Sequence, residues 1–204
     1  MALVKIPGSP NERKDSIMEK NTLKNLGPLR TLMGTWEGIK GDDTAPSDDR
    51  GTEKNKYRER TILKPLLPVE NHEQKLFGLR YFTQAFRLGE KNPFHDEVGY
   101  WLWDPKARQV MKCIVIPRGM TTLAGGKVLP GAKKFKLKAA FGSKTYGICS
   151  NPFLDREFRT TAFEITMALG QNEFSYDQTT FIRIKGQKTL FKHRDKNTLR
   201  RVKA

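Results

Sequence analysis

Apolar and polar residues alternate in short runs along most of the chain, a pattern typical of half-buried β-strands. Gly, Pro, Asn and Asp residues, which favour turns, lie between the runs. The acidic segment over residues 42–51 is predicted as a loop. Strands are predicted over residues 35–37, 57–63, 76–88, 97–103, 110–116, 120–124, 134–141, 158–169, 173–184 and 190–202.

Two short stretches follow a helical pattern. Pro28 suits the first turn of a helix, and Leu29, Leu32 and Met33 share one face, so residues 26–33 are predicted as a short amphipathic helix. A helical turn is also predicted over residues 151–157. Residues 1–24 show little periodicity and are predicted as a flexible, basic N-terminal extension before a single domain over residues 25–204.

So many short strands with so little helix predict an all-β fold, and a closed antiparallel β-barrel explains the pattern best. A small barrel of this kind can enclose one ligand. A β-sandwich is the alternative, because alternation alone describes both architectures.

The net charge of +16 on 204 residues suggests a polyanion as a partner. The segment from Arg183 to Lys203 holds nine basic residues and one acid, and several of the bases alternate onto one face of the last predicted strand. Because no exposed aromatic residues alternate with these bases, nucleic acid is the least favoured partner. The charge is interpreted as the solvated outer side of the barrel.

No run of residues approaches the ~20 apolar positions of a membrane-spanning helix. The first residues also lack the apolar core of a signal peptide, so the sequence is interpreted as that of a cytoplasmic protein without a membrane span. Phosphate-binding loops, nucleophile elbows and zinc-ligand spacings are absent from the sequence. No catalytic residue is predicted.

The three histidines are the best candidates for chemistry. His72 lies in a polar turn, whereas His95 precedes an aromatic strand, where it either caps a hairpin or points into a cavity mouth. In the last strand, alternation directs His193, Asp195 and Asn197 inward. His193 is then either a core imidazole bonded to Asp195 or a ligand of a metal or haem.

Three segments resemble the nitrobindins, a family of haem-binding barrels shaped like fatty-acid-binding proteins. The segments are Gly34-Thr35-Trp36-Glu37-Gly38, Phe94-His95-Asp96-Glu97-Val98-Gly99-Tyr100-Trp101, and residues 190–200 with His193. The resemblance implies a ten-stranded antiparallel barrel closed at one end by a short helix. It also implies ferric haem, suspected to be haem b, at the barrel mouth.

In this resemblance His193 is the iron ligand and His95 lies near the opposite, distal side of the haem. Together with Asp195 and Trp36, these histidines are expected to form the cofactor site. The resemblance further implies reversible nitric oxide binding, isomerisation of peroxynitrite to nitrate, and a homodimer.

The alternative is a carrier or sensor of a small apolar or fatty-acid-like ligand without haem. In that case Arg58, Arg60 or Arg80 is the expected anchor for a ligand carboxylate.

Overall fold

The computed structural model describes residues 23–202, so the predicted N-terminal extension lies almost wholly outside the described residues. Residues 23–25 are helical, a 3₁₀ helix at Gly27–Leu32 comes before the first strand, and a short helix, α1, spans Pro152–Glu157. The strands are β1 (Gly34–Pro46), β2 (Thr52–Pro65), β3 (Val69–Asn71), β4 (Gln74–Arg87), β5 (His95–Asp104), β6 (Gln109–Ile116), β7 (Met120–Lys127), β8 (Lys134–Phe141), β9 (Gly147–Ser150), β10 (Phe158–Leu169), β11 (Glu173–Ile184) and β12 (Phe191–Arg201).

The sheet closes into a barrel because β2, at one end of the strand order, also pairs with β4. The strand order is β2-β1-β12-β11-β10-β8-β9-β7-β6-β5-β4. β3 pairs only with the first residues of β4. All pairings are antiparallel except that of β8 with β9. The prediction of a closed all-β barrel is confirmed, but the count of ten strands is too low.

The barrel has eleven strands, and β3 lies outside it. The extra barrel strand is β9, which has only four residues and gives too short a run for alternation to reveal. The predicted loop over residues 42–51 is also partly wrong. β1 continues to Pro46 because β2 pairs with it along this stretch and β12 pairs with it as far as Thr44.

A bulge in β1 decides which of its side chains face the interior. Trp36 and Gly38 are buried, but the pairing with β2 then shifts register between Gly38 and Gly41. Ile39 and Lys40 are both exposed across this shift. The extra residue reverses the alternation, so that Asp43 faces inward with only 3% of its surface exposed.

The 3₁₀ helix closes one end of the barrel. Leu29 and Leu32 are almost fully buried, and Trp36 beneath them has no exposed surface. The indole Nε1–H of Trp36 donates to the Leu32 carbonyl over 2.7 Å, and its ring meets Phe174 edge to face at 5.0 Å. Trp36 therefore fastens the helix to the barrel wall. In the described part of the chain, no helix has the length and apolar character needed to cross a membrane.

Replacing Trp36 by Ala should lower the free energy of unfolding by ~3–5 kcal/mol, because the change leaves a large cavity under the helix. Trp36→Phe, which removes mainly the indole donor, should cost about 1–2 kcal/mol. Urea unfolding measures both values. The exposed Leu129 provides a control, since Leu129→Ala should change stability little. A Trp36→Ala protein as stable as the Leu129→Ala control would contradict this role.

Candidate functional site

The barrel interior contains a cavity, lined by charged and apolar side chains, that the 3₁₀ helix closes at Leu32. Its enclosed volume is about 100 Å³. That is less than the roughly 150 Å³ of an engineered protein cavity that holds benzene. The side chains of His193 and His95, which line the cavity, are 32% and 37% exposed and therefore mark its open mouth.

His193 projects inward from β12, as the alternation predicts, but its partner is not the predicted one. Its Nε2 lies 2.8 Å from Oδ1 of Asp43, on the neighbouring strand β1. The other carboxylate oxygen of Asp43 accepts a hydrogen bond of 3.1 Å from the Asn55 side chain. The expected bond between His193 and Asp195 is therefore replaced, because the β1 bulge turns Asp43 towards the imidazole.

Asp195 instead ends a chain of four oxygen-bearing side chains across the cavity. The Tyr57 hydroxyl contacts Asp195 and lies 2.8 Å from the Tyr176 hydroxyl. Tyr176 in turn lies 2.8 Å from Oε2 of Glu59. Gly41 makes room for this arrangement, since a Cβ there would lie 2.3 Å from the Tyr57 ring.

The two carboxyl groups of this chain compete for few hydrogens. Four oxygen–oxygen contacts join Asp195, Tyr57, Tyr176 and Glu59, the longest of them 3.5 Å between Tyr176 and Asp195, and the two phenols supply only two hydrogens. Burial raises the pKa of Glu59, although hydrogen bonds from Asn197, Tyr176 and Thr61 oppose this shift. Burial and the nearby charge of Glu59 raise the pKa of Asp195 to about 7. Both acids are therefore protonated more readily than exposed carboxyl groups.

A second polar cluster lies on β4, β5 and β6. Lys112 Nζ and the Tyr81 hydroxyl donate to Oε1 of Glu97 over 2.8 and 2.6 Å, and His95 Nε2 lies 3.4 Å from Oε2. Burial works to raise the pKa of Glu97, but Lys112 and His95 outweigh it and hold that pKa well below its usual range. Burial works to lower the pKa of His95, yet the hydrogen bond and charge of Glu97 leave it raised.

Three of the predicted site residues, His193, His95 and Asp195, line the cavity together. Trp36 does not line it and packs beside the 3₁₀ helix instead. The arginines expected to anchor a carboxylate have their side chains on the outer surface and do not line the cavity. These are Arg58, Arg60 and Arg80.

Sequence reasoning missed four charged residues of the cavity, since it looked for chemistry only at the histidines and their neighbours. Two of them carried a readable signal, because Glu59 alternates in phase with Tyr57 and Leu63, and Glu97 alternates in phase with Trp101 and Trp103. The other two are Asp43 and Lys112.

Haem iron needs only one imidazole ligand from the protein, and the side chain of His193, at the mouth of the cavity, can supply it. Apolar and aromatic side chains, among them Phe94, Leu63 and Met167, also line the cavity. The residues thus fit a haem bound at the mouth, while the enclosed volume is too small to surround the macrocycle. Among the described residues, no group of three or more His, Cys, Asp or Glu side chains is arranged to hold a bare metal ion.

The raised pKa of Asp195 makes stability depend on pH. This pKa is higher in the folded chain than in the unfolded one, so its contribution is fully present below about pH 4 and is lost as the pH rises through 7. Asp195→Asn mimics the neutral form, so its stability relative to the unmodified chain should rise by roughly 2–3 kcal/mol between pH 5 and pH 8.

Denaturant unfolding at the two pH values measures this difference, and Asp177→Asn, an exposed change on β11, is the control. The protonation of Asp195 is refuted if its variant shows the same pH dependence as the control.

No curated protein matches this chain. A crystal structure of Rv2717c from M. tuberculosis superposes with a TM-score of 0.62 at 22% sequence identity, covering 89% of this chain and 98% of that one. At this identity the likeness concerns the fold alone.

Residues 25–201 match a family model described as "THAP4-like, heme-binding beta-barrel domain". The match spans nearly all of the described residues and confirms the resemblance to nitrobindin-like barrels. It also supports haem binding as the general function. By this match, the chain belongs to the family of THAP4-like, heme-binding beta-barrel domains.

Proposed function

We propose that this barrel binds haem at its mouth with His193 as the iron ligand. The observation that carries the proposal is the inward-facing imidazole of His193 at the mouth of the cavity, in a chain of a haem-binding barrel family. The strand pairing of β12 with both β1 and β11 fixes the position of this imidazole. When bound, haem b supplies an iron centre that can take nitric oxide or peroxynitrite as a ligand.

The cluster around Glu97 then acts on the ligand. Nε2 of His95 faces the Glu97 carboxylate, which favours the protonated imidazole, and Lys112 stabilises the negative charge of Glu97. The Nδ1–H of His95 is then the donor available to a ligand at the cavity mouth. An N–H at this place stabilises negative charge on a small oxygen-rich ligand. This supports the finer proposal that the protein, once loaded with haem, would bind nitric oxide and isomerise peroxynitrite to nitrate.

The carrier of a fatty-acid-like ligand is less well supported by the cavity. Its charged lining holds four carboxyl groups and a single ammonium group, that of Lys112, which is already paired with Glu97. A ligand carboxylate would therefore enter next to negative charges without a free cation to bind it. A small apolar ligand would also have to leave the hydrogen bonds of these polar groups intact, because breaking them would leave buried polar groups without partners.

Two further parts of the proposal concern assembly and location. A homodimer is supported by exposed apolar residues that share the outer face of β4–β6, namely Phe82, Val98, Tyr100 and Val115. A cytoplasmic location is supported by the two free cysteines, Cys113 and Cys149, since thiols persist in reducing compartments.

Haem coordination is tested by titrating the apoprotein with haemin and recording the Soret band. The unmodified chain should show a saturable band, and His193→Ala should weaken the affinity by at least about tenfold, or ~1.4 kcal/mol. His72→Asn, in an exposed turn, is the matched control and should bind like the unmodified chain. Haem binding through His193 is excluded if the protein stays without a saturable band or if His193→Ala leaves the band unchanged.

The role of His95 is tested on the haem-loaded protein. His95→Leu should keep the haem affinity within about twofold but slow peroxynitrite isomerisation by roughly tenfold or more, because it removes a hydrogen-bond donor. His95→Gln, which keeps a donor, should recover part of the rate. Stopped-flow absorbance measures the decay, and equal rates in all three proteins would remove His95 from the reaction.

A further inference from the structure

We infer that Asp43 is a built-in competitor for the haem ligand: it holds the same nitrogen of His193 that would coordinate iron. This inference rests on the proposed function and concerns its regulation. The contact between His193 Nε2 and Asp43 Oδ1 is 2.8 Å, a normal hydrogen-bond distance. Nε2 is the ring nitrogen farther from the backbone, so it is the one that reaches furthest into the cavity.

The hydrogen bond and a metal bond at Nε2 exclude each other. An imidazole nitrogen that binds a metal gives up its lone pair to an atom about 2.0–2.1 Å away and carries no hydrogen. A carboxylate oxygen at hydrogen-bond distance from the same nitrogen occupies that direction. His193 must therefore exchange its bond to Asp43 for the bond to iron.

Asp43 is held firmly in the competing position. It is 3% exposed, and Asn55 donates to its second oxygen. Its backbone pairs with Asp195 of β12 on one side and with Asn55 of β2 on the other. Breaking its contact with His193 leaves a buried carboxylate with one partner fewer, and that cost opposes haem uptake.

The alternative role of Asp43 is supportive. If His193 bound iron through Nδ1 instead, Asp43 would hold the opposite nitrogen, as carboxylates commonly do for metal-bound histidines. The two roles predict opposite effects of removing the carboxylate. A competitor lowers haem affinity, whereas a supporting partner raises it.

The experiment is haemin titration of the apoprotein, followed by the Soret band, for the unmodified chain, Asp43→Ala and Asp43→Asn. Competition predicts roughly tenfold tighter binding for Asp43→Ala, about 1.4 kcal/mol, and a smaller gain for Asp43→Asn. Asp42→Ala is the matched control, because Asp42 is the neighbouring acid and pairs with Lys56 and Lys196 rather than with the cavity. Its affinity should equal that of the unmodified chain.

Each outcome has one meaning. Equal or weaker binding by the Asp43 variants, with normal binding by the unmodified chain, overturns the competition and leaves haem binding intact. If adding His193→Ala to the unmodified chain and to the Asp43 variants leaves haem binding unchanged, the proposed function itself is refuted. Should Asp43→Ala fail to fold, by circular dichroism, Asp43→Asn decides the question because it keeps the size and one acceptor of the side chain.

Discussion

The closed wall of the barrel imposes the constraint on which the site depends: polar side chains that face inward must satisfy one another. Four carboxyl groups face the cavity, from Asp43, Glu59, Glu97 and Asp195. Over the described residues, no buried side-chain nitrogen or oxygen lacks a hydrogen-bond partner. Each acid is therefore matched to a particular donor, and replacing one acid changes the environment of its neighbours.

The β1 bulge is the local feature that determines these matches. Without the extra residue between Gly38 and Gly41, regular alternation from Trp36 would turn Asp42 inward and Asp43 outward. His193 would then lack its present partner. β1 thus holds the 3₁₀ helix at the closed end of the barrel through Trp36 and supplies the carboxylate of Asp43 at the open end. Its inward-facing residues have even numbers before the bulge and odd numbers after it.

The sequence predicted the inner face of β12 because that strand is long and paired on both sides, so its period of two is unbroken. His193, Asp195 and Asn197 follow from this period directly. Asp43 could not be found in the same way, since it lies beyond a bulge in a segment with loop composition. The remaining signal of a bulge was the odd spacing between Gly38 and Gly41, because residues on one face of a regular strand are an even number of positions apart. Partners across strands depend on register, which one sequence does not reveal.

The row of oxygens from Asp195 through Tyr57 and Tyr176 to Glu59 has a further consequence. With one proton on either carboxyl group, that acid and the two phenols would share three hydrogens along this row. If all three shift together, the negative charge moves from Glu59 to Asp195 while no proton enters or leaves the barrel. The interior can thus relocate one unit of charge from β2 to β12, towards the strand that carries His193, by rearranging bonds that are already formed.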